Sequence, residues 1–182
     1  MEDIIFFHFD CDRSSLPVVR SPAGIVLEIW RPNGLGLAPS CGLSLVSRIV
    51  WPLLHGLHLL GNPDYAIVCL KRNGVCVHRT LLVPPFFRFP FMAPDDLQCG
   101  DIWTAPGERG RGLAATGVAA AINHASRSGR RIWYLTESGN EPSIRLARRT
   151  SFSPIGHGRR TRRFGLHFFG QYIISQLDAN VG

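Results

Sequence analysis

The run Arg109-Gly110-Arg111-Gly112-Leu113-Ala114 constrains this chain more than any other feature, because of what flanks it. Cys99-Gly100-Asp101-Ile102-Trp103-Thr104 before it reads as a strand, and Leu113-Ala114-Ala115-Thr116-Gly117-Val118-Ala119-Ala120-Ala121-Ile122 after it reads as a helix of small residues. Glycines at such a junction let the backbone approach a ligand closely. The unpaired amides of a helix start then point at an anion in the field of the helix dipole. The pattern predicts an anion-binding loop, and the ligand it suits is a cofactor carrying a pyrophosphate.

With 45% hydrophobic residues, a chain of 182 fits one domain with a sizeable core. Its five cysteines are odd in number and show no close pairing that resembles a zinc ligand set, so they are read as free thiols in a reducing compartment. Met1-Glu2-Asp3 followed by Ile4-Ile5-Phe6-Phe7 lacks the basic start and cleavage site of a secretory signal, which makes the cytoplasm the expected location. No segment offers the roughly 18 uninterrupted apolar residues of a membrane span. The apolar stretch Ile49 to Leu60 is read as a buried helix and turn, or else as a surface that meets an apolar substrate or a membrane interface.

The formal charge of +7 is uneven, since residues 141–182 hold seven arginines against Glu141 and Asp178, a net of +5. Arg159-Arg160-Thr161-Arg162-Arg163 could touch nucleic acid, solvate a strand connection or draw in phosphorylated ligands. No nucleic-acid-binding module accompanies the patch, so a nucleic-acid partner is not expected.

Strands are predicted at Gly24–Trp30, Tyr65–Leu70, Val75–Arg79, 98–104, Arg131–Thr136 and Phe152–His157, with a last candidate at Phe164–Ile174. Helices are predicted at Leu43–Leu54, 112–127 and after Asn140, whose side chain can cap a helix that tolerates Pro142 in its first turn. Asn73-Gly74 signals a hairpin between two antiparallel strands. The proline-rich Val83–Phe91 segment is expected as an aromatic loop or irregular edge that packs in the core or walls a substrate. The strand, helix and strand over 98–136 predict a parallel crossover within an α/β fold, a mixed central sheet flanked by helices.

From Asp101 through Gly156 the chain resembles the Gcn5-related N-acetyltransferase (GNAT) family. Arg109 through Ala114 fits each position of that family's Arg-Gly-x-Gly-x-Gly/Ala loop. Asn140-Glu141-Pro142-Ser143-Ile144-Arg145-Leu146-Ala147-Arg148-Arg149-Thr150-Ser151-Phe152 is similar to its Asn-x-x-Ser-x-x-Leu-Tyr-x-x-x-Gly-Phe segment. The resemblance implies a GNAT-like acyl-CoA N-acyltransferase fold over 1–182, with a cofactor-binding core at about 98–157. It also implies acetyl-CoA, or another acyl-CoA, as cosubstrate.

On that resemblance the backbone of Arg109, Gly110, Arg111, Gly112, Leu113 and Ala114 would cradle the pyrophosphate. Asn140 and Ser143 match positions on the pantetheine and CoA side. The strand carrying Ile102, Trp103 and Thr104 would splay from the one carrying Trp133-Tyr134-Leu135, and the pantetheine arm would lie in the gap. Arg148 and Arg149 could support the CoA phosphates. The chain departs from the family twice, with Ala147 where a proton-donating Tyr is common and Ser151 where Gly is common. Tyr134 and Ser143 are the candidates for the missing acid.

Acyl transfer from a thioester to an amine needs a neutral amine, close alignment and stabilisation of the developing oxyanion. Direct attack in a ternary complex meets these needs, with a backbone amide near Trp103 or Thr104 polarising the carbonyl. Asp101 is the leading base, since it interrupts the strand that enters the cofactor loop, and Glu137 is second. Cys99 as an acylated nucleophile is an alternative without an evident His partner. His78 and His55 could line the acceptor cavity or be structural.

A small-molecule primary amine, such as an amino sugar or a nucleotide-linked sugar, is the expected acceptor. A non-catalytic acyl-CoA-binding regulatory or interaction domain is the alternative. The expected assembly is a monomer or homodimer, with no metal.

Overall fold

The computed structural model describes residues 3–32, 37–161 and 170–177 of the chain. In chain order its elements are β1 (Asp3–Asp10), β2 (Ile25–Trp30), α1 (Leu45–Gly56), β3 (Ala66–Arg72), β4 (Val75–Val83), β5 (Leu97–Thr104), α2 (Leu113–Ala125), β6 (Arg131–Glu137), α3 (Glu141–Arg149), β7 (Ser153–Arg160) and β8 (Tyr172–Leu177). A single 3₁₀ turn, Pro106–Glu108, leads out of β5. The described strands form one mixed sheet in the order β2-β3-β4-β5-β6-β1-β7-β8. Its parallel pair is β5 with β6, as the predicted crossover requires, and the other pairs are antiparallel.

The elements follow local chemistry closely. Asn73 and Gly74 both adopt positive φ, 50° and 78°, the conformation a tight hairpin turn needs to match strand twist. Ser44 accepts a hydrogen bond from the Ser47 amide at the start of α1 (3.1 Å), and Asn140 accepts one from the Ser143 amide at the start of α3 (3.2 Å).

Helix α2 packs on one face of the sheet, where Val118, Ala121 and Ile122 meet Phe7, Phe9, Leu82, Leu97 and Ile132 in a continuous core. The other face is covered by α1, through Trp51 and Leu54, and by the aromatic loop after β4, through Phe86, Phe89 and Phe91. Rings run across that face in contact: Trp51 stacks on Tyr65 at 5.7 Å, Phe86 meets Phe89 at 5.0 Å and Phe91 meets Trp133 at 4.8 Å.

Three findings differ from or go beyond the sequence expectations. Residues Asp3–Asp10, read only as a terminus without a signal, form a central strand between β6 and β7, with Phe6, Phe7 and Phe9 fully covered. Cys41 and Cys76 form a disulfide, which corrects the free-thiol reading, and Cys11, Cys69 and Cys99 are the free thiols. The reading of Ile49 to Leu60 as a buried helix and turn holds for one face only. Leu45, Val46, Ile49, Leu53 and Leu57 lie exposed on the other.

Of the last predicted strand, residues 172–174 belong to β8 and Phe164 to Phe169 lie outside the described residues, as do Arg162 and Arg163. Among the described residues no helix is long and apolar enough to cross a membrane.

Candidate active site

The site begins where β5 stops pairing with β6. The two strands are in register at Leu97 with Ile132 and at Gln98 with Trp133, and then they part. A register shift between Arg79 and Leu81 marks an irregularity against β4 at the same level, and Asp101 sits there with φ of +44°. The gap so opened holds two cavities that meet at Ile102, Tyr134, Asn140 and Ser143.

The first cavity, of about 820 Å³, lies between β5, the start of α2 and α3. Ile102, Trp103 and Thr104 form one wall, Gly112, Ala114 and Ala115 the floor, and Arg145 and Arg149, one helical turn apart, the far side. Gly110 and Gly112 have φ of +77° and +78°, a conformation that favours glycine, and a Cβ at either position would meet open space. Gly112 is the N-cap of α2 and provides no capping side chain, so the first-turn amides have no side-chain acceptor. A helix N-terminus without a capping side chain and two arginines make this cavity suited to phosphate oxygens.

The sequence-predicted loop residues divide by role. Arg109 lines the cavity and donates from Nε to the Thr104 carbonyl at 3.3 Å. Arg111 turns outward to Glu108 at 3.3 Å. The Leu113 side chain is buried with Leu70 and Val77 and anchors the helix start. Arg149 borders the cavity, whereas Arg148 is not among the lining residues.

The second cavity, of about 520 Å³, opens on the face carrying α1. Trp51, Phe86, Phe89 and Tyr172 supply aromatic walls, Arg88 and Arg160 cationic ones, and Asp101 and Glu137 carboxylates. The Asp101 carboxylate accepts from Arg79 Nη2 at 2.8 Å, with the aspartate side chain 47% exposed and the arginine 8%. Arg79 is itself fixed, donating from Nη1 to the Cys41 carbonyl at 2.7 Å and lying 5.4 Å from the Trp103 ring centroid. Glu137, at the end of β6, borders the cavity and is exposed.

Tyr134 and Ser143 meet where the cavities join. Their hydroxyls share a hydrogen bond of 2.7 Å, and burial pushes the Tyr134 phenol up to about 12 despite that bond, which favours ionisation. Ala147, at the position where the family commonly has Tyr, is fully buried in the core beneath α3.

Other candidates have structural surroundings. His78 is completely covered, held by Thr104 Oγ1 at 2.8 Å and Thr80 Oγ1 at 2.9 Å, and burial with the Arg79 charge brings it down to about 4. His55 bonds the Pro63 carbonyl at 3.1 Å and lines neither cavity. Burial pushes the Cys99 thiol up to about 12, so at neutral pH it is protonated and a poor nucleophile.

Sequence reasoning missed Arg79, Ala115 and Arg145 as parts of the site, and it reached Trp51 only through the alternative reading of Ile49 to Leu60 as a surface that meets an apolar substrate. The spacing of Arg145 and Arg149 was the available signal, because residues four apart share a helix face. Arg79 carried none, since only the folded sheet brings it to Asp101.

A model of the acetyltransferase (GNAT) family matches residues 43–152. A GCN5-related N-acetyltransferase from Sphaerobacter thermophilus is similar in structure with a TM-score of 0.61 at 18% identity, over 86% of this chain and 49% of that one. A GNAT-family acetyltransferase from Novosphingobium aromaticivorans has a TM-score of 0.53 at 17% identity, over 86% and 61% of the two chains. A tandem GNAT protein from the clavulanic acid biosynthesis pathway has a TM-score of 0.58 at 14% identity, over 84% and 50%. These identities speak to the fold, and the chain spans about half to three-fifths of the length of these solved proteins. No curated protein sequence matches it.

Proposed function

The chain belongs to the GNAT acetyltransferase family, and from that premise we propose that it transfers an acetyl group from acetyl-CoA, or an acyl group from another acyl-CoA, to a primary amine of a small molecule. The observation that carries this reading is the junction of the two cavities at Ile102, Tyr134, Asn140 and Ser143, with the uncapped start of α2 and Arg109, Arg145 and Arg149 on one side and carboxylates on the other. The donor side suits CoA because the uncapped start of α2 and the cationic edge of Arg109, Arg145 and Arg149 match its phosphates. When bound, the thioester supplies the activated acyl group.

The residues of the chain then divide the work. Amides from Arg109 to Ala114 hold the phosphates, and the open edge of β5 from Ile102 to Thr104 aligns the pantetheine arm. A backbone amide near Trp103 or Thr104 polarises the carbonyl. Asp101, oriented by Arg79, takes the amine proton directly or through water, and Glu137 is the second candidate base. Tyr134 and Ser143, sharing one hydrogen bond, donate toward the departing sulfur in place of the side chain that Ala147 lacks.

Trp51, Phe86, Phe89 and Tyr172 offer ring faces to a sugar or base, and Arg88 and Arg160 add positive charge suited to a phosphorylated acceptor. An amino sugar or nucleotide-linked sugar fits that wall, with attack in a ternary complex. The reading puts the reaction in the cytoplasm, where acyl-CoA is available and where the Cys41–Cys76 pair would be kept reduced.

Ala147 specifically favours a second reading, a domain that binds acyl-CoA without turnover. Incubation with acetyl-CoA and a panel of amines, including amino sugars and nucleotide-linked sugars, separates the two when acylated product and free CoA are both measured. Acceptor-dependent product is expected, and Asp101→Asn should lower kcat by about 100-fold with CoA affinity unchanged. Tight CoA binding without product from any acceptor favours the second reading. Equal activity of Asp101→Asn removes Asp101 as the base.

A further inference from the structure

Cys69 has no task in the fold beyond packing, yet its sulfur lies 3.2 Å from that of Cys41, which is already bonded to Cys76. The three sulfurs come from the loop before α1, from β3 and from β4, and all lie within 4.8 Å of one another. Cys41 and Cys69 are buried and Cys76 is half-buried, so the group is closed on its inner side and approachable at one sulfur. A disulfide uses two of the three. A soft cation uses all of them.

We propose that, once the Cys41–Cys76 bond is reduced, Cys41, Cys69 and Cys76 form a three-thiolate site for a thiophilic cation such as Zn²⁺. Thiolates bound to zinc at about 2.3 Å in near-tetrahedral geometry stand about 3.8 Å apart, within the span these sulfurs occupy. Cys76 is the side from which water or another small ligand completes the coordination.

Three thiolates and a divalent ion carry a net charge of −1. Across the β3–β4 hairpin Lys71 pairs with Cys76 and Arg79 with Cys69, and Glu28 stands opposite Cys69 on β2. Lys71 is ion-paired to Glu28 and Arg79 to Asp101, so the neighbouring charges balance and the spacing of the three sulfurs carries the site. Arg79 Nε is buried without an acceptor among the described residues, while its Nη1 already holds the Cys41 carbonyl. As the register partner of Cys69, Arg79 would lie in the field of an anionic metal–thiolate cluster.

The chemistry balances in two steps. A phosphine reductant cleaves the sulfur–sulfur bond and leaves as its oxide with oxygen from water, giving three thiols. Zn²⁺ then displaces three protons as three sulfur–zinc bonds form. A small-molecule disulfide reverses the sequence by oxidising Cys41 and Cys76, leaving as two thiols and releasing the ion. Either state ties the loop at Cys41 to the hairpin, and with it the carbonyl that holds Arg79 against Asp101. The proposal is independent of the acyltransferase reading, because it concerns metal binding alone.

The test uses the full chain, reduced with phosphine and titrated anaerobically with Zn²⁺ against a chromophoric chelator. One ion per chain is expected. Cys41→Ser, Cys69→Ser and Cys76→Ser should each weaken binding by on the order of 100-fold, and Cys11→Ser should leave it unchanged. Cys69→Ser is the decisive variant because it keeps the disulfide, so circular dichroism of its oxidised form checks that it folds. Zn²⁺ binding by folded Cys69→Ser as tight as in the parent, or no stoichiometric binding by the reduced parent, overturns the proposal.

Discussion

Gly117→Ala should destabilise the protein although it replaces glycine inside a helix. In an unconstrained helix the change gains about 1 kcal/mol. Here a Cβ at position 117 falls inside the van der Waals envelope of His78 Nε2 and Cδ2, and 3.3 Å from Cε1. The imidazole cannot swing aside cheaply. It is fully covered, and both nitrogens are engaged, with Thr104 Oγ1 at 2.8 Å and Thr80 Oγ1 at 2.9 Å. Breaking one or both bonds leaves buried polar groups at about 1–3 kcal/mol each. Sliding α2 away instead loosens Val118, Ala121 and Ile122 from the sheet. Set against the helix gain, the net loss is about 2–4 kcal/mol, a drop in Tm of roughly 5–10 °C for a chain of this size. Because Thr104 and the first turn of α2 both border the cavity proposed for CoA, CoA affinity should fall about tenfold in step. Thermal and urea unfolding followed by circular dichroism, with calorimetric CoA titration, measure both effects. A variant as stable as the parent would mean that the close approach of α2 to His78 does not set the helix position.

Two further perturbations follow from local geometry. Ser151 ends α3 at φ of +66°, with its amide donating to Arg148 and that of Phe152 to Ala147, so Ser151→Gly relieves a left-handed conformation without losing a packed side chain. The net gain after the extra unfolded-state entropy of glycine is about 0.5–1 kcal/mol, visible as a rise of roughly 2 °C in Tm, and a fall would refute it. His78 is held neutral down to about 4 by burial and by the Arg79 charge, against 6.5 when exposed, so below pH 6.5 the unfolded chain takes up a proton that the folded one refuses. Stability should decline from pH 6.5 toward 4, on the order of 3 kcal/mol from this group, with smaller contributions from His8 and His124, also lowered by burial. Urea midpoints that stay flat over that window would contradict the assignment.

What could be seen in the sequence was local. The Asn73-Gly74 turn, the glycines before α2 and the Asn140 cap each encode their conformation in a few adjacent residues, and each formed where those residues predicted. Residues 3–10 carry the apolar character of a strand, but their place between β6 and β7 depends on partners more than 120 residues away in sequence, as in the pairing of Ile4 with Glu137. Cys41 and Cys76 are 35 residues apart, and the hairpin that brings Cys69 beside them also brings Arg79 toward Asp101. The exposed face of α1 was hidden for another reason. Its polar residues Ser47, Arg48 and His55 fall on the covered side and Leu45, Val46, Ile49 and Leu53 on the exposed one, so the usual rule that the apolar stripe faces the core points the wrong way here.

The irregularity in β5 joins these long-range contacts to the proposed chemistry. A β-strand carried straight on from Gln98 would keep pairing with β6 and close the gap between the cavities. Instead the register against β4 slips between Arg79 and Leu81, a side chain at Gly100 would collide with that of Gln98, and Asp101 takes a left-handed φ. The same bend opens the gap and brings the Asp101 carboxylate to the cavity proposed for the acceptor, where Arg79 holds it. For a non-glycine residue that conformation costs on the order of 1 kcal/mol, least for Asp and Asn, whose short polar side chains bond locally. Asparagine at position 101 therefore preserves the bend while removing the charge, whereas alanine removes the charge and adds strain that favours straightening. A loss of turnover shared by both variants belongs to the carboxylate; a loss of CoA binding confined to Asp101→Ala belongs to the bend.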